Sequence, residues 1–231
     1  MGEQVDRRWI ILGFFAVVAA AIVVVILVSR GGGSSSSSSE STTTGKVGKN
    51  GCEKVAAPKP RKVSLPEPKQ NVEKGETVTA VVETSCGDFD IALDTTRAPK
   101  TTNSFAYLAD EGVYEGTQFG RVVPGFVIQG GDPEETGAGG PGYNIEEAPP
   151  ANLAYTKGVV AMAKGATDPP GFSGSQFFVV LGAKVKLPPE YALIGKVSSG
   201  MKVVETIGSL GTSEEKPKQV VLIKNITIER G

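Results

Sequence analysis

Apolar and polar positions divide the chain into three unlike parts. Residues 9–28, "WIILGFFAVVAAAIVVVILV", run for 20 positions without a charge. At about 1.5 Å per helical residue, such a run spans the roughly 30 Å hydrocarbon core of a bilayer. A cleaved signal peptide is the rival reading, but its apolar stretch is about 7–15 residues long and ends at a small-residue site. Here the run continues past Ala19-Ala20-Ala21 and is followed by Ser29-Arg30-Gly31. The pattern therefore predicts a transmembrane signal anchor over 9–28, behind a short segment 1–8. Residues 29–74 carry no apolar period. They open "GGGSSSSSSESTTTG" and continue into "APKPRKVSLPEPK", compositions of flexible and then of semi-rigid extended chain. A disordered linker is expected there, and a folded domain over 75–231.

Within that domain the apolar positions recur in short alternating runs. Residues 77–84, "TVTAVVET", are β-branched, "SCGD" reads as a turn, and Phe89, Ile91 and Leu93 alternate with Asp90 and Ala92. This is a hairpin with one buried face. In "RAPKTTNSFAYLADEG", Pro99 suits a first helical turn, Phe105, Leu108 and Ala109 form a stripe, and Gly112 suits the stop. Further short strands are expected at 119–123, 126–129, 159–163, 176–181, 192–197 and 220–228, with a second helix at 201–207. Eight strands without a βαβ rhythm predict a mainly β fold: a closed eight-stranded antiparallel β-barrel capped by two α-helices.

Charge and cysteine content narrow the classes. Residues 31–74 hold eight Lys/Arg against four Asp/Glu, a net of +4, whereas 75–231 hold 13 against 19, a net of −6. A domain of that sign is not a nucleic-acid binder by charge. Arg7 and Arg8 precede the apolar run, and Arg30 is the only cation close behind it. The positive-inside bias thus favours a cytoplasmic N-terminus and an exported domain. Cys52 and Cys86 are the only cysteines. Export permits a Cys52–Cys86 disulfide, and two independent free thiols are the alternative.

Absent residues exclude much chemistry. The chain has no histidine, which removes Ser-His-Asp and Cys-His machinery and any His-ligated metal; no metal and no cofactor are expected. "GFSGS" at 171–175 departs from the nucleophile elbow in its fifth residue and lacks a base. "GAGGPG" at 137–142 is not followed by the Gly-Lys-Ser/Thr of a phosphate loop. Glu134, Glu135, Glu146 and Glu147 read as a solvated face. What remains is the stretch "GTQFGRVVPGFVIQGGDP". It places Arg121 and Gln129 among Phe119, Val122, Val123, Phe126, Val127 and Ile128, with no Asp or Glu within five positions of Arg121.

A guanidinium in an apolar surface needs a partner, and the expectation is that a substrate supplies it. Rotation about an X–Pro bond fits a site without nucleophile, base or cofactor. Its barrier is about 20 kcal/mol because amide resonance must be broken. In the twisted transition state the proline nitrogen turns pyramidal and regains a lone pair, which a cationic donor binds better than either planar state.

"FGRVVPGFVIQGGDP", "GVVAMAK", "GSQFFVV" and "ALIGKV", with "APKTTNSFAYLA" for the first helix, resemble in order the motifs of cyclophilin-type peptidyl-prolyl isomerases, over about residues 77–229. The resemblance implies a closed barrel and cofactor-independent prolyl isomerisation. By the same resemblance Arg121 is the catalytic arginine and Gln129 the glutamine that positions it and meets substrate. Phe126, Val127, Phe178 and Leu187 are the proline pocket, with Tyr191 where the family has a pocket histidine; Ala163, Lys164 and Gln176 line the neighbouring subsite. Gly120 replaces a usual histidine, Lys164 a common asparagine, and Lys186 stands near a tryptophan many members use to bind cyclosporin. The expected protein is a bacterial, membrane-anchored isomerase with a monomeric domain outside the cytoplasm, acting on proline-containing polypeptides. A proline-peptide-binding chaperone or scaffold without turnover is the alternative.

Overall fold

The computed structural model describes residue 48 and residues 50–231. The expected anchor at 9–28, segment 1–8 and the Gly/Ser-rich opening of the linker lie outside the described residues. Among the described residues no helix is long and apolar enough to cross a membrane.

In chain order the elements are β1 (Val78–Thr84), β2 (Gly87–Leu93), α1 (Pro99–Asp110), β3 (Arg121–Val123), β4 (Val127–Gly130) and β5 (Ile145–Glu146). They continue with β6 (Val159–Met162), β7 (Phe172–Ser173), β8 (Phe177–Val180), β9 (Leu193–Ser199), α2 (Met201–Ser209) and β10 (Ile223–Arg230). Eight strands form one antiparallel sheet in the order β10-β1-β2-β9-β6-β8-β4-β3, while β5 and β7 pair separately. The expected barrel is therefore a half-barrel: no ladder joins β10 to β3. Only the isolated bridge Gln118–Leu222 and a few bonds span the seam, among them Phe119 N–H to Val221 O at 2.9 Å. The cause is local. β3 has three residues, Gly120 interrupts the run before it, and Val122 N–H donates to Glu215 O at 2.8 Å, in the loop after α2, rather than to β10.

The unbroken apolar runs of β6 and β8 are buried at every position, because both faces of the sheet are covered. With side chains alternating between faces, Phe177 and Val179 enter the main core with Phe89, Phe105, Phe119, Ile128, Ile194 and Ile207. Phe178 and Val180, with Val127, Ala161 and Leu193, form a second cluster on the opposite face, where Tyr155, Leu187 and Tyr191 pack over them. The candidate site sits on this second face. Within the main core Tyr114 is fully buried against Phe105 and Phe177. Among the described residues its hydroxyl finds no hydrogen-bond partner, and burial holds its phenol well above the ordinary value.

α1 packs on β10 and β9, α2 on β2, β4 and β3. No side chain of α1's own cap closes its N-terminus. Instead Glu147 accepts from Thr101 N at 2.8 Å, Thr101 Oγ1 at 2.7 Å and Lys100 N at 3.2 Å. A carboxylate there satisfies orphan donors and complements the helix dipole, so Glu147 does more than solvate a face.

The second half of the expected linker lies against the domain as an extended strap. Cys52 is buried and disulfide-bonded to Cys86, and Glu53 N–H donates to Ser85 O at 2.7 Å. The Arg61 guanidinium donates from Nη2 to the carbonyls of Gly112, Val113 and Glu115 at 2.7, 2.7 and 2.9 Å, just beyond α1. Arg61 N and Leu65 N donate to Pro133 O and Pro141 O, both at 2.8 Å. Gly142, at φ +93°, allows this approach: a Cβ there would stand 3.0 Å from Ser64 Cα. Finally Asn103 of α1 holds Asn71 N and Val72 N on Oδ1, at 2.7 and 3.0 Å, and donates to Lys69 O at 3.0 Å. Val72 itself is in the core. Proline-rich chain with no period of its own is fixed here by the disulfide, by backbone bonds, by its own Arg61 and by Asn103 of the chain it crosses.

Candidate active site

β3 and β4 pair so that Arg121 stands opposite Gln129, and β4 pairs with β8 so that Gln129 stands opposite Phe178. The turn between β3 and β4 supplies Phe126, and the extended stretch before β9 supplies Leu187 and Tyr191. These residues, with Val127, Ala163 and Lys164, line a hollow of about 290 Å³. All the residues expected at the site by sequence meet here except Gln176. Gln176 lines an adjoining hollow of about 270 Å³ together with Gln129, Ala163, Lys164 and Gly137–Gly140. The last of these belong to the loop whose ends the strap holds.

The floor is rigid. Phe178 meets Tyr191 edge-on with centroids 5.4 Å apart, and Tyr191 meets Tyr155 at 6.0 Å. The Tyr155 hydroxyl donates to Tyr191 O at 2.8 Å and accepts from Tyr191 N at 3.0 Å, fixing the backbone of the rim. Burial pushes the Tyr155 phenol up to about 12, against the bond to Tyr191 that lowers it. Phenylalanine and tyrosine faces at these spacings offer an apolar slot for a small ring.

Two polar expectations are corrected. Arg121 is not without a protein partner: its Nε donates to Glu215 Oε2 at 2.8 Å. Glu215 lies 94 residues away along the chain, and the loop after α2 carries it to β3, so no local reading of the sequence finds it. The pair is 39% and 51% exposed, a setting in which an ion pair is screened and worth about 0–1 kcal/mol. The two terminal nitrogens of the guanidinium make no hydrogen bond to the described residues, and its carbon lies 5.8 Å from the Phe126 ring centroid, at the edge of the hollow.

The second correction concerns Gln129. Its side chain makes no hydrogen bond to Arg121 but donates to Gln176 Oε1 at 3.2 Å, and Gln176 donates to Gly139 O at 3.2 Å. The glutamines thus brace each other and the wall of the adjoining hollow. Lys164 is only 5% exposed; its Nζ donates to Asp168 O at 3.0 Å, pairs with Glu190 at 3.5 Å and lies 5.6 Å from the Tyr191 centroid. Asp168 and Glu190 carried no signal of their own in the sequence. Glu135, on the other side of Gln129, is held above the ordinary carboxylate range by burial and by Asp132, against a hydrogen bond from Gln118. Among the described residues no group of three His, Cys, Asp or Glu side chains could hold a metal ion.

A half-barrel with an apolar slot on its outer face, edged by one arginine and a pair of glutamines, defines a cyclophilin-like domain. Residues 79–228 match the family model "Cyclophilin type peptidyl-prolyl cis-trans isomerase/CLD", and the chain belongs to that family. It is 38% identical over 159 residues to a peptidyl-prolyl cis-trans isomerase-like 1 of Gibberella zeae, covering 66% of this chain and 96% of the relative. It is 34% identical to peptidyl-prolyl cis-trans isomerase B of Streptomyces anulatus, over 67% and 98% of the two chains. A crystal structure of a Cryptosporidium parvum cyclophilin-type isomerase, obtained in the presence of the dipeptide Ala-Pro, superposes with a TM-score of 0.61 at 31% identity. That match covers 66% of this chain and 99% of the other. The chain is thus a prolyl isomerase by fold and family. Fungal and bacterial relatives stand side by side in these matches, so a bacterial origin does not follow from them, and the family match does not include residues 9–28.

Proposed function

We propose that this protein accelerates rotation about X–Pro bonds in folding polypeptides outside the cytoplasm, held to a membrane by residues 9–28, and that Arg121 is its catalytic residue. The carrying observation is that Arg121 edges the Phe126, Val127, Phe178, Leu187 and Tyr191 hollow with its terminal nitrogens hydrogen-bonded to none of the described residues. The pyrrolidine ring occupies the apolar slot, while Gln129 and Gln176 offer donors and acceptors to the flanking backbone. As the imide twists, Arg121 donates to the proline nitrogen, an interaction absent from either planar state. One charge-assisted hydrogen bond of about 1.5–3 kcal/mol provides one to two decades of rate at ~1.4 kcal/mol per decade; ring burial and backbone anchoring provide the rest.

The test is NMR exchange on a short X–Pro peptide with full-length protein. Arg121→Ala should lower kcat/KM by about 10–100-fold while peptide binding persists. A wild-type protein that binds the peptide without speeding exchange would leave the scaffold reading. Export is supported by the uncharged run, by Arg7 and Arg8 before it, and by a disulfide, which persists in oxidising compartments. Protease added to intact cells should remove a C-terminal epitope, and an epitope protected until lysis would refute export. Cys52, bonded and fully buried, offers no thiol to a membrane-impermeant reagent.

A further inference from the structure

We infer that Glu215 is a positioning residue for isomerisation: it holds the Arg121 side chain extended so that its terminal nitrogens face the proline slot. This rests on the reading of Arg121 as the catalytic residue. Glu215 grips two consecutive residues of β3. Its backbone carbonyl accepts from Val122 N at 2.8 Å, and its carboxylate accepts from Arg121 Nε at 2.8 Å. It does so from φ +60°, a left-handed conformation that non-glycine residues adopt rarely and that clusters at functional sites. The conformation is stabilised from around it. Lys218 N donates to Leu210 O at 2.8 Å, Thr212 N to Lys216 O at 2.9 Å and Glu215 N to Thr212 O at 3.1 Å, and Gly211 bridges Pro217.

The choice of atom matters. A guanidinium has five donors, of which Nε offers one. A carboxylate on Nη would compete with substrate, whereas one on Nε fixes the chain up to the fork and leaves the fork available. A flexible side chain with several rotatable bonds loses much freedom when it must aim, and ordering it before substrate arrives lowers the barrier to the twisted state. The Phe126 ring centroid lies 5.8 Å from the guanidinium carbon, so an aromatic ring as well as a carboxylate stands beside the side chain.

The experiment measures prolyl exchange by NMR in the full-length protein and in Glu215→Ala, Glu215→Gln and each change combined with Arg121→Lys, together with the Arg121 Nε–H resonance. Gln keeps an oxygen acceptor without the charge. The expected result is a 3–10-fold fall in kcat for Glu215→Ala with KM little changed, and loss of its sharp Nε–H signal. Glu215→Gln should stay within about twofold of wild type, and in the lysine background, which has no Nε to hold, Glu215→Ala should have no further effect. Wild-type kcat in Glu215→Ala overturns the inference, as does a faster enzyme, which would make the carboxylate a brake. An equal loss in Glu215→Gln, or a loss that persists beside Arg121→Lys, overturns it too, because the residue would then act on the loop or the field and not on Arg121. If Arg121→Ala alone leaves exchange unaffected, it is the reading of Arg121 that fails.

Discussion

Replacing Asn103 with alanine tests whether residues 53–74 are structure or spacer. The side chain is 5% exposed and makes three hydrogen bonds to the strap, to Asn71 N, Val72 N and Lys69 O, at 2.7, 3.0 and 3.0 Å. At about 1 kcal/mol net for each bond the loss is near 3 kcal/mol. Alanine returns about 0.6 kcal/mol of helix propensity in α1, leaving a cost of roughly 2–3 kcal/mol. For a domain of this size each 1 kcal/mol moves Tm by about 2–4 °C, so a fall of some 5–10 °C is expected by calorimetry or guanidinium unfolding of the oxidised protein. Hydrogen exchange localises the effect. The amides of Asn71 and Val72 should be protected in the wild type and exchange at near-open rates in Asn103→Ala, while those of β6 and β8 slow or quicken only with global stability. A change below about 0.5 kcal/mol with the two amides equally fast in both proteins would show the strap to be loosely lying chain.

Tyr114→Phe removes a buried hydroxyl that has no partner among the described residues while keeping the ring against Phe105 and Phe177. An unsatisfied buried group costs about 1–3 kcal/mol, so Tm should rise by a few degrees in thermal unfolding, and a fall would show that the oxygen is satisfied after all. Replacing Cys52 and Cys86 together with serine reopens a loop of sequence separation 34. Chain entropy puts that at up to about 4 kcal/mol, and denaturant midpoints that coincide with the oxidised wild type would refute the contribution.

Most elements were legible because period two and the turn residues agree. β1, β2, β6, β8 and both helices fall within about two residues of their expected starts. Nothing in composition separates Phe178 and Val127 from the residues of the main core; alternation along β8 and β4 puts them in the second cluster, on the outer face. The two-residue strands β5 and β7 are too short to show a period. The strap was illegible because prolines and lysines carry no pattern that says what they lie against, and its bonds come from Asn103 and the carbonyls beyond α1. Barrel closure failed for a related reason: strand spacing cannot tell a ladder from a seam crossed by isolated bonds, as between β10 and β3. Glu215 shows the limit most plainly. Nothing within "GTSEEKPK" distinguishes it from Glu214; only the backbone turn that brings its carbonyl to Val122 selects one over the other.

The sulfur bridge also decides how the domain bears a load. Tension arriving along the chain before Cys52 crosses directly to Cys86 in the turn between β1 and β2. The 33 intervening residues, which include the strap and the whole of β1, are slack with respect to any pull from that side. Such a pull would reach the sheet without loading the bonds that hold the belt in place.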